Sequence, residues 1–469
     1  MYRPYRRPVT KASPDVKVAE PKMSKFIIFL VNILSRPYIF FLFGFAKIVL
    51  KDDKILFDAF KRALSDKSRY IIAFRHPDGR EPQILAYFFL FKLTRLAAKN
   101  KVYFAKKAHA IFVYGYEVVR WGGPFARFFM PNIGAVPIHH TKLDSKGMAR
   151  IYKVLTDGPY PLTLAPEGQV SYNADSLPRL EVGTIRIGLQ AAEQLRKKEE
   201  TEGKKENIPV EILPLSFHLR YDRGGQRAME KLLKKIEKCC GLKNSTAANP
   251  ALKNLDSSGD ISFRKRLERS RNFILEKNEN RYNINIDDSL SYEQRLEQVV
   301  NAALETCERI LNIKGEGEFF PRLYRVRHLC WDRIFLPESS AKLKKFSQIE
   351  RGILDLRAGE AWHIARHQEL ADFAWYFRCP PPEENDALHK KVEYVQNLWD
   401  FANRTMGGTI ANRVNILPDK VILKTAPSIN ISERLSDYKA DKKSTINSLL
   451  SELEKAYLDC IEDVSRDTK

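Results

Sequence analysis

The segment Phe74-Arg-His76-Pro-Asp-Gly-Arg-Glu81 sets an imidazole five residues ahead of a carboxylate. Imidazole titrates near neutral pH without assistance, so it can take a proton as a general base and hand it on as an acid. For that it needs one ring nitrogen held by an acceptor, which leaves the other facing the substrate. A carboxylate on the first turn of a following helix can reach back to do this, and Asp78 is a second candidate. The chemistry would be proton abstraction from a substrate. By itself the spacing also fits a turn histidine with no chemistry. Three polar-ended segments follow it: Asn132-Ile-Gly134-Ala-Val-Pro-Ile-His-His140, Leu164-Ala-Pro-Glu167-Gly168 and Ile208-Pro-Val-Glu-Ile-Leu-Pro-Leu215. His363 and His367 stand four apart with Glu360 one turn earlier, which is metal-ligand spacing, but no further ligand group follows. They read as a polar helix face, and no metal site is expected. Glycine-rich phosphate loops are absent.

Positioning these groups requires strands that end beside one another. Arg69–Phe74, Val102–Ala105, Ala135–Ile138, Tyr160–Ala165 and Val210–Phe217 read as strands. An apolar helix from Pro82 to Leu93 and helices over 145–156 and 183–198 alternate with them. Such alternation predicts an α/β fold, a mixed sheet flanked by helices. From about Gly225 to Ile416 the periodicity turns helical, as in Leu296, Val299, Val300, Ala303, Leu304, Cys307, Ile310 and Leu311. Lys243–Gly259 is polar and Asn/Ser/Gly-rich and reads as a loop. A strand returns at Lys420–Lys424, and a last helix carries Ile446, Leu449, Leu450, Leu453, Tyr457 and Cys460 on one face.

With 469 residues, 44% of them apolar, the chain can bury a large core, which excludes disorder and a disulfide miniprotein. Lys and Arg total 79 against 58 Asp and Glu, a formal charge of +21 that suits an anionic partner, nucleic acid or membrane. Six cysteines without staple or metal spacing read as reduced thiols. The N-terminus favours the membrane. A basic lead precedes Phe26–Leu34, a break is expected at Ser35-Arg36-Pro37, and a second apolar run spans Tyr38–Ala46. Each run is about half of the roughly 20 residues a span needs. Two short helices dipping into one leaflet, with lysines and arginines on anionic headgroups, fit this pattern. A buried helical hairpin and a single tilted span are the other readings. No nucleic-acid motif is present, and none is expected as a partner.

Taken in order, the four segments around His76, Gly134, Glu167 and Pro209–Pro214 resemble the motif blocks of the glycerolipid acyltransferases, the lysophosphatidic acid acyltransferase family. His76 and Glu81 match its His-x-x-x-x-Asp block, with Glu in the acid position. Gly134–His140 matches its second block, Pro166-Glu167-Gly168 its third and Ile208–Leu215 its fourth. The resemblance covers roughly residues 26–222, and Lys420–Ile431 looks like the family's closing strand and turn. It implies transfer of an acyl group from acyl-CoA or acyl carrier protein to a lipid hydroxyl, with His76 as base and Glu81 as its partner. Substrate-binding roles would fall to Gly134, His140, Lys142, Glu167, Gly168 and Arg186, with no further cofactor. His140 replaces the family's phosphate-binding Arg, so the acceptor need not carry a phosphate, and an inactive, lipid-binding relative is the alternative. The resemblance divides the chain into a membrane-associating lead and helical hairpin (1–50), an acyltransferase core (51–224), a helical insertion (225–415) and a closing strand and helix (416–469). It implies residence at the cytoplasmic face of a membrane.

Overall fold

The computed structural model describes residues 9–44, 47–139, 144–203, 207–242 and 262–466. They form two compact units, one of Lys17–Arg220 with Leu417–Lys469, the other of Met1–Val16 with Tyr221–Ile416.

The first unit opens with helix α1 (Lys25–Tyr38), whose Ser24 cap accepts a hydrogen bond from the Ile27 amide. Ile28 and Ser35 face inward, and Asn32 Nδ2 donates to the Leu90 carbonyl. Helix and apolar run do not break at Pro37, contrary to the sequence expectation. Proline lacks an N–H and crowds the turn before it. Here it falls in the last turn of α1, and a widened turn at Ile39–Phe43 follows, ending at Gly44 with φ +61°. One helix therefore stands where a hairpin was expected. Among the described residues no helix is long and apolar enough to cross a membrane.

Strand β1 (Lys47–Lys51) and helix α2 (Asp53–Leu64) come next, then the central strand β2 (Arg69–Phe74), whose six residues are all buried. Helix α3 (Glu81–Tyr87) widens over Phe88–Leu93. Val102–Ala105, expected as a strand, is not one; β3 is Ile111–Gly115. Helix α4 (Gly123–Asn132), β4 (Val136–Ile138), α5 (Ser145–Asp157), β5 (Leu162–Leu164), α6 (Gly183–Thr201) and β6 (Val210–Arg220) complete this run.

The second unit is helical: α7 (Arg223–Cys240), α8 (Phe263–Arg281), α9 (Tyr292–Leu311), α10 (Phe319–Ile334), α11 (Gln348–Tyr376) and α12 (Leu388–Thr405). Ser291 and Ser347 start α9 and α11 with reciprocal capping boxes. The residues expected along α9 are buried except Ile310. Ser13–Pro14 pairs parallel with Phe335–Leu336, and Asp355 accepts from the Ala12 amide at 2.8 Å. The 243–259 loop lies outside the described residues.

Back in the first unit, β7 (Lys420–Thr425), β8 (Ile429–Asn430) and α13 (Lys442–Arg466) close the fold. The sheet order is β1-β7-β6-β2-β5-β3-β4, with β8 also on β6. Strands β6, β2, β5, β3 and β4 run parallel, while β7 is antiparallel to β6 and parallel to β1. Strands buried on both faces account for continuous apolar runs such as Tyr70-Ile-Ile-Ala-Phe74. Arg220 and Lys420 stand opposite each other, and the Asp419 amide donates to the Arg220 carbonyl at 3.0 Å. The helical segment thus leaves and rejoins the sheet at one point. Lys47–Lys51 is a strand of this sheet and 9–16 belongs with the helical unit, so residues 1–50 do not form a single element.

Candidate active site

In a parallel sheet, loops leaving the C-terminal strand ends share one edge. Strand β2 delivers His76 there and β5 delivers Glu167, and the two strands are neighbours. After Phe74 the chain is held by the Arg75 amide donating to the Leu215 carbonyl at 2.9 Å. Gly79, at φ +100°, then turns it into α3, whose first residue is Glu81.

His76 Nδ1 lies 2.6 Å from Glu81 Oε2. Glu81 is fully buried and its carboxylate is also held by two backbone donors, the Asp78 amide on Oε1 at 2.6 Å and the Gly79 amide on Oε2 at 2.8 Å. Three hydrogen bonds fix the carboxylate, and the carboxylate fixes the ring. Nδ1 is therefore the protonated nitrogen in the neutral ring, and Nε2 is the free base. Nε2 has no hydrogen-bond partner among the described residues, and 17% of the side chain is exposed. Burial works against the charged ring, but the carboxylate of Glu81, with those of Glu167 and Asp78, outweighs it, so the pKa of His76 is raised. Asp78 is engaged by Arg80, whose Nη2 donates to Oδ2 at 2.7 Å, and is not the ring's partner.

Glu167 has a different place from the one the resemblance implies. It is buried, with Oε1 accepting from Arg75 Nε and Oε2 from the His76 amide at 3.0 Å. Each oxygen accepts from the protein, and the carboxylate holds the backbone of His76. Arg75, fully buried, spends its remaining donors on the loop after Gly168: Nη2 reaches the Asn173 carbonyl at 2.6 Å and the Ser176 carbonyl at 2.8 Å. The Ser171 amide donates to the His76 carbonyl at 2.9 Å, tying that loop to His76 directly. Gly168 takes φ +72°, a conformation that L side chains rarely adopt.

Gly134, φ +81°, makes the turn between α4 and β4, and a Cβ there would meet Ile111 at 3.1 Å. Its role is to pass the chain beside β3. Arg186 is exposed on α6, with no hydrogen bond to His76 or Glu81. His140 and Lys142 lie outside the described residues.

A second relay escaped the sequence reading. On β6, His218 Nε2 lies 3.0 Å from Ser216 Oγ and Nδ1 lies 2.8 Å from Asp175 Oδ1, while Arg220 Nη1 reaches Asp175 Oδ2 at 3.3 Å. Burial lowers the His218 pKa, against the pull of Asp175, so the ring is neutral and accepts from the serine hydroxyl. Ser216 is fully buried in mid-strand, where no substrate reaches it. The order Ser-His-Asp here anchors the loop that Arg75 grips. Its signal was the i, i+2, i+4 alternation of Ser216, His218 and Arg220 at the end of a strand whose preceding residues, Glu211 apart, are apolar.

Away from the sheet unit, His367 Nδ1 is bonded to the Tyr282 hydroxyl at 2.8 Å and Glu360 pairs with Arg333 at 2.9 Å. The spaced triplet of α11 is thus divided among structural partners. The chain matches no known family model, and no curated protein sequence matches it.

Proposed function

We propose that the chain is a membrane-associated acyltransferase that moves a fatty acyl group from acyl-CoA or acyl carrier protein to a hydroxyl of a lysophospholipid or related glycerolipid at the cytoplasmic face. The observation that carries this is the His76–Glu81 pair, 2.6 Å apart, with Nε2 open and no nucleophilic side chain bonded to it. Such a pair suits direct transfer rather than an acyl-enzyme. Nε2 takes the proton as the acceptor oxygen attacks the thioester carbon. As the C–S bond breaks, the imidazolium returns that proton to the departing thiolate. Glu81 stabilises the imidazolium without being protonated, as the aspartate does in a serine hydrolase. The resemblance of the four sequence blocks supplies the substrate class, and the apolar face of α1 supports a lipid one.

Purified protein supplied with labelled acyl-CoA and a panel of lysophospholipids and uncharged monoacylglycerols tests the reading. Labelled diacyl product that disappears in His76→Ala is the expected result. Binding of these lipids without transfer to any of them would favour the catalytically altered, lipid-binding reading, which the Glu81 and His140 departures allow.

A further inference from the structure

We propose that α4 is a second membrane-contact element, beside α1, that seats the sheet unit on an anionic bilayer. This rests on the membrane association proposed above but not on acyl transfer. Helix α4, Gly123-Pro-Phe-Ala-Arg-Phe-Phe-Met-Pro-Asn132, buries only Ala126, Pro131 and Asn132. Its two outward rings, Phe125 and Phe128, are 67% and 59% exposed, with Arg127 exposed between them. Phe125 also stacks on Phe129, centroids 5.2 Å apart.

Large exposed aromatics in a row mark a contact surface, and their surroundings identify the partner. The start of α1 is stitched to the end of α4: the Lys22 amide donates to the Pro131 carbonyl at 2.8 Å, the Ser24 amide donates to the Asn132 carbonyl at 2.9 Å, and Met23 bridges Ile133. The end of α4 thus meets the start of α1, which exposes Phe26, Phe29, Ile33 and Leu34, with Phe40 and Phe41 exposed just beyond it.

Charge points the same way. Residues 21–51 contain no Asp or Glu, and neither do residues 118–143, whereas both hold Lys or Arg. The acid just before, Glu20, is paired with Arg150. Exposed apolar side chains on segments whose charged residues are all Lys or Arg are complementary to acyl chains beneath anionic headgroups. Helix α4 also lies on the connection that leaves the C-terminal end of β3, the sheet edge where His76 stands.

Co-flotation of the full chain with vesicles of phosphatidylcholine and phosphatidylglycerol tests this. Phe125→Ser/Phe128→Ser should weaken partitioning by at least about tenfold, as Phe26→Ser/Phe29→Ser should on α1. Wild-type partitioning of the α4 variant, with the α1 variant impaired, would overturn the α4 assignment and leave membrane association standing. Wild-type partitioning of both would overturn the membrane reading as well. Because the serine variants could fail to fold, Phe128→Trp provides an independent measurement. Its added emission should shift to the blue on vesicles and be quenched by brominated acyl chains. Emission insensitive to both would overturn the proposal. None of these measurements reads acyl transfer.

Discussion

The protonation of one ring sets the pH behaviour of the site. A general base acts only when unprotonated, so with the His76 pKa raised the transfer rate should climb with pH through a limb above about 6.5. Glu81→Gln removes the largest raising influence and leaves burial in place, so its limb should move to lower pH while kcat falls by about 10²-fold. Glu81→Asp keeps an acceptor carboxylate and should retain part of the rate. Equal pH–rate profiles in all three forms would mean that Glu81 does not hold the ring. For His76→Ala, a loss of about 10²–10⁴-fold is expected with an unchanged circular dichroism spectrum. The same shift has a stability signature. A folded pKa above the unfolded one adds stability that is full below the unfolded value, near 6.5, and is lost as pH rises through the folded value. The melting-temperature difference between wild type and His76→Gln should therefore shrink on going from about pH 6 to about pH 9.

Behind the ring, a strand end and a loop are held together by a buried ion pair. Arg75→Met leaves the Glu167 carboxylate buried with the His76 amide as its only remaining partner, and a cost of about 3–5 kcal/mol is expected. Arg75→Met/Glu167→Gln removes the stranded charge and should cost less than the sum of the single changes. Urea unfolding of the four forms measures this, and strict additivity would show that the pair is not coupled. Tyr457 of α13 donates to the Ala73 carbonyl at 2.7 Å, so the C-terminal helix braces the same strand. The elements nearest the chemistry were legible because their signals are local: β2 as an unbroken apolar run, Glu81 on the first turn of the next helix, α6 by its period. Where two short apolar runs competed, Val102–Ala105 against Ile111–Gly115, tertiary pairing decided, because only the latter finds β5 and β4 as neighbours. Strand β1 was hidden in the apolar N-terminus, its lone partner being β7, far along the chain. The resemblance gave Glu167 a substrate-binding role, whereas Arg75, 92 residues earlier, pairs with it in the fold.

For the molecule as a whole, the excess of 21 positive charges and the apolar face of α1 make opposite predictions about salt. Screening weakens long-range attraction to anionic headgroups but not burial of Phe26, Phe29 and Phe41 among acyl chains. Raising NaCl to about 1 M, where the Debye length is about 3 Å, should lower vesicle binding without abolishing it. Complete release by salt would mean that the association is electrostatic alone. Truncating residues 1–50 is a poor test of the membrane face, because it also cuts away β1. Substitutions on the exposed side of α1 are the cleaner probe.

The meeting of Arg220 and Lys420 carries a consequence for how the chain is made. Strand β6 leaves the ribosome about 200 residues before β7, which at cellular elongation rates is about 10–40 s. During that interval Leu215–Arg220 has no partner on its β7 side, and β1 has no partner at all. Unpaired edges of this kind invite wrong pairing with other chains. Joining the ends of so long a loop carries an entropic cost on the order of 5 kcal/mol, which is met in advance if the helices between them fold first and bring their own termini together. Amide protection during refolding should then appear in α9 and α11 before it appears in β1 and Leu215–Arg220. Simultaneous protection of all four would mean that the sheet does not wait for its last strands.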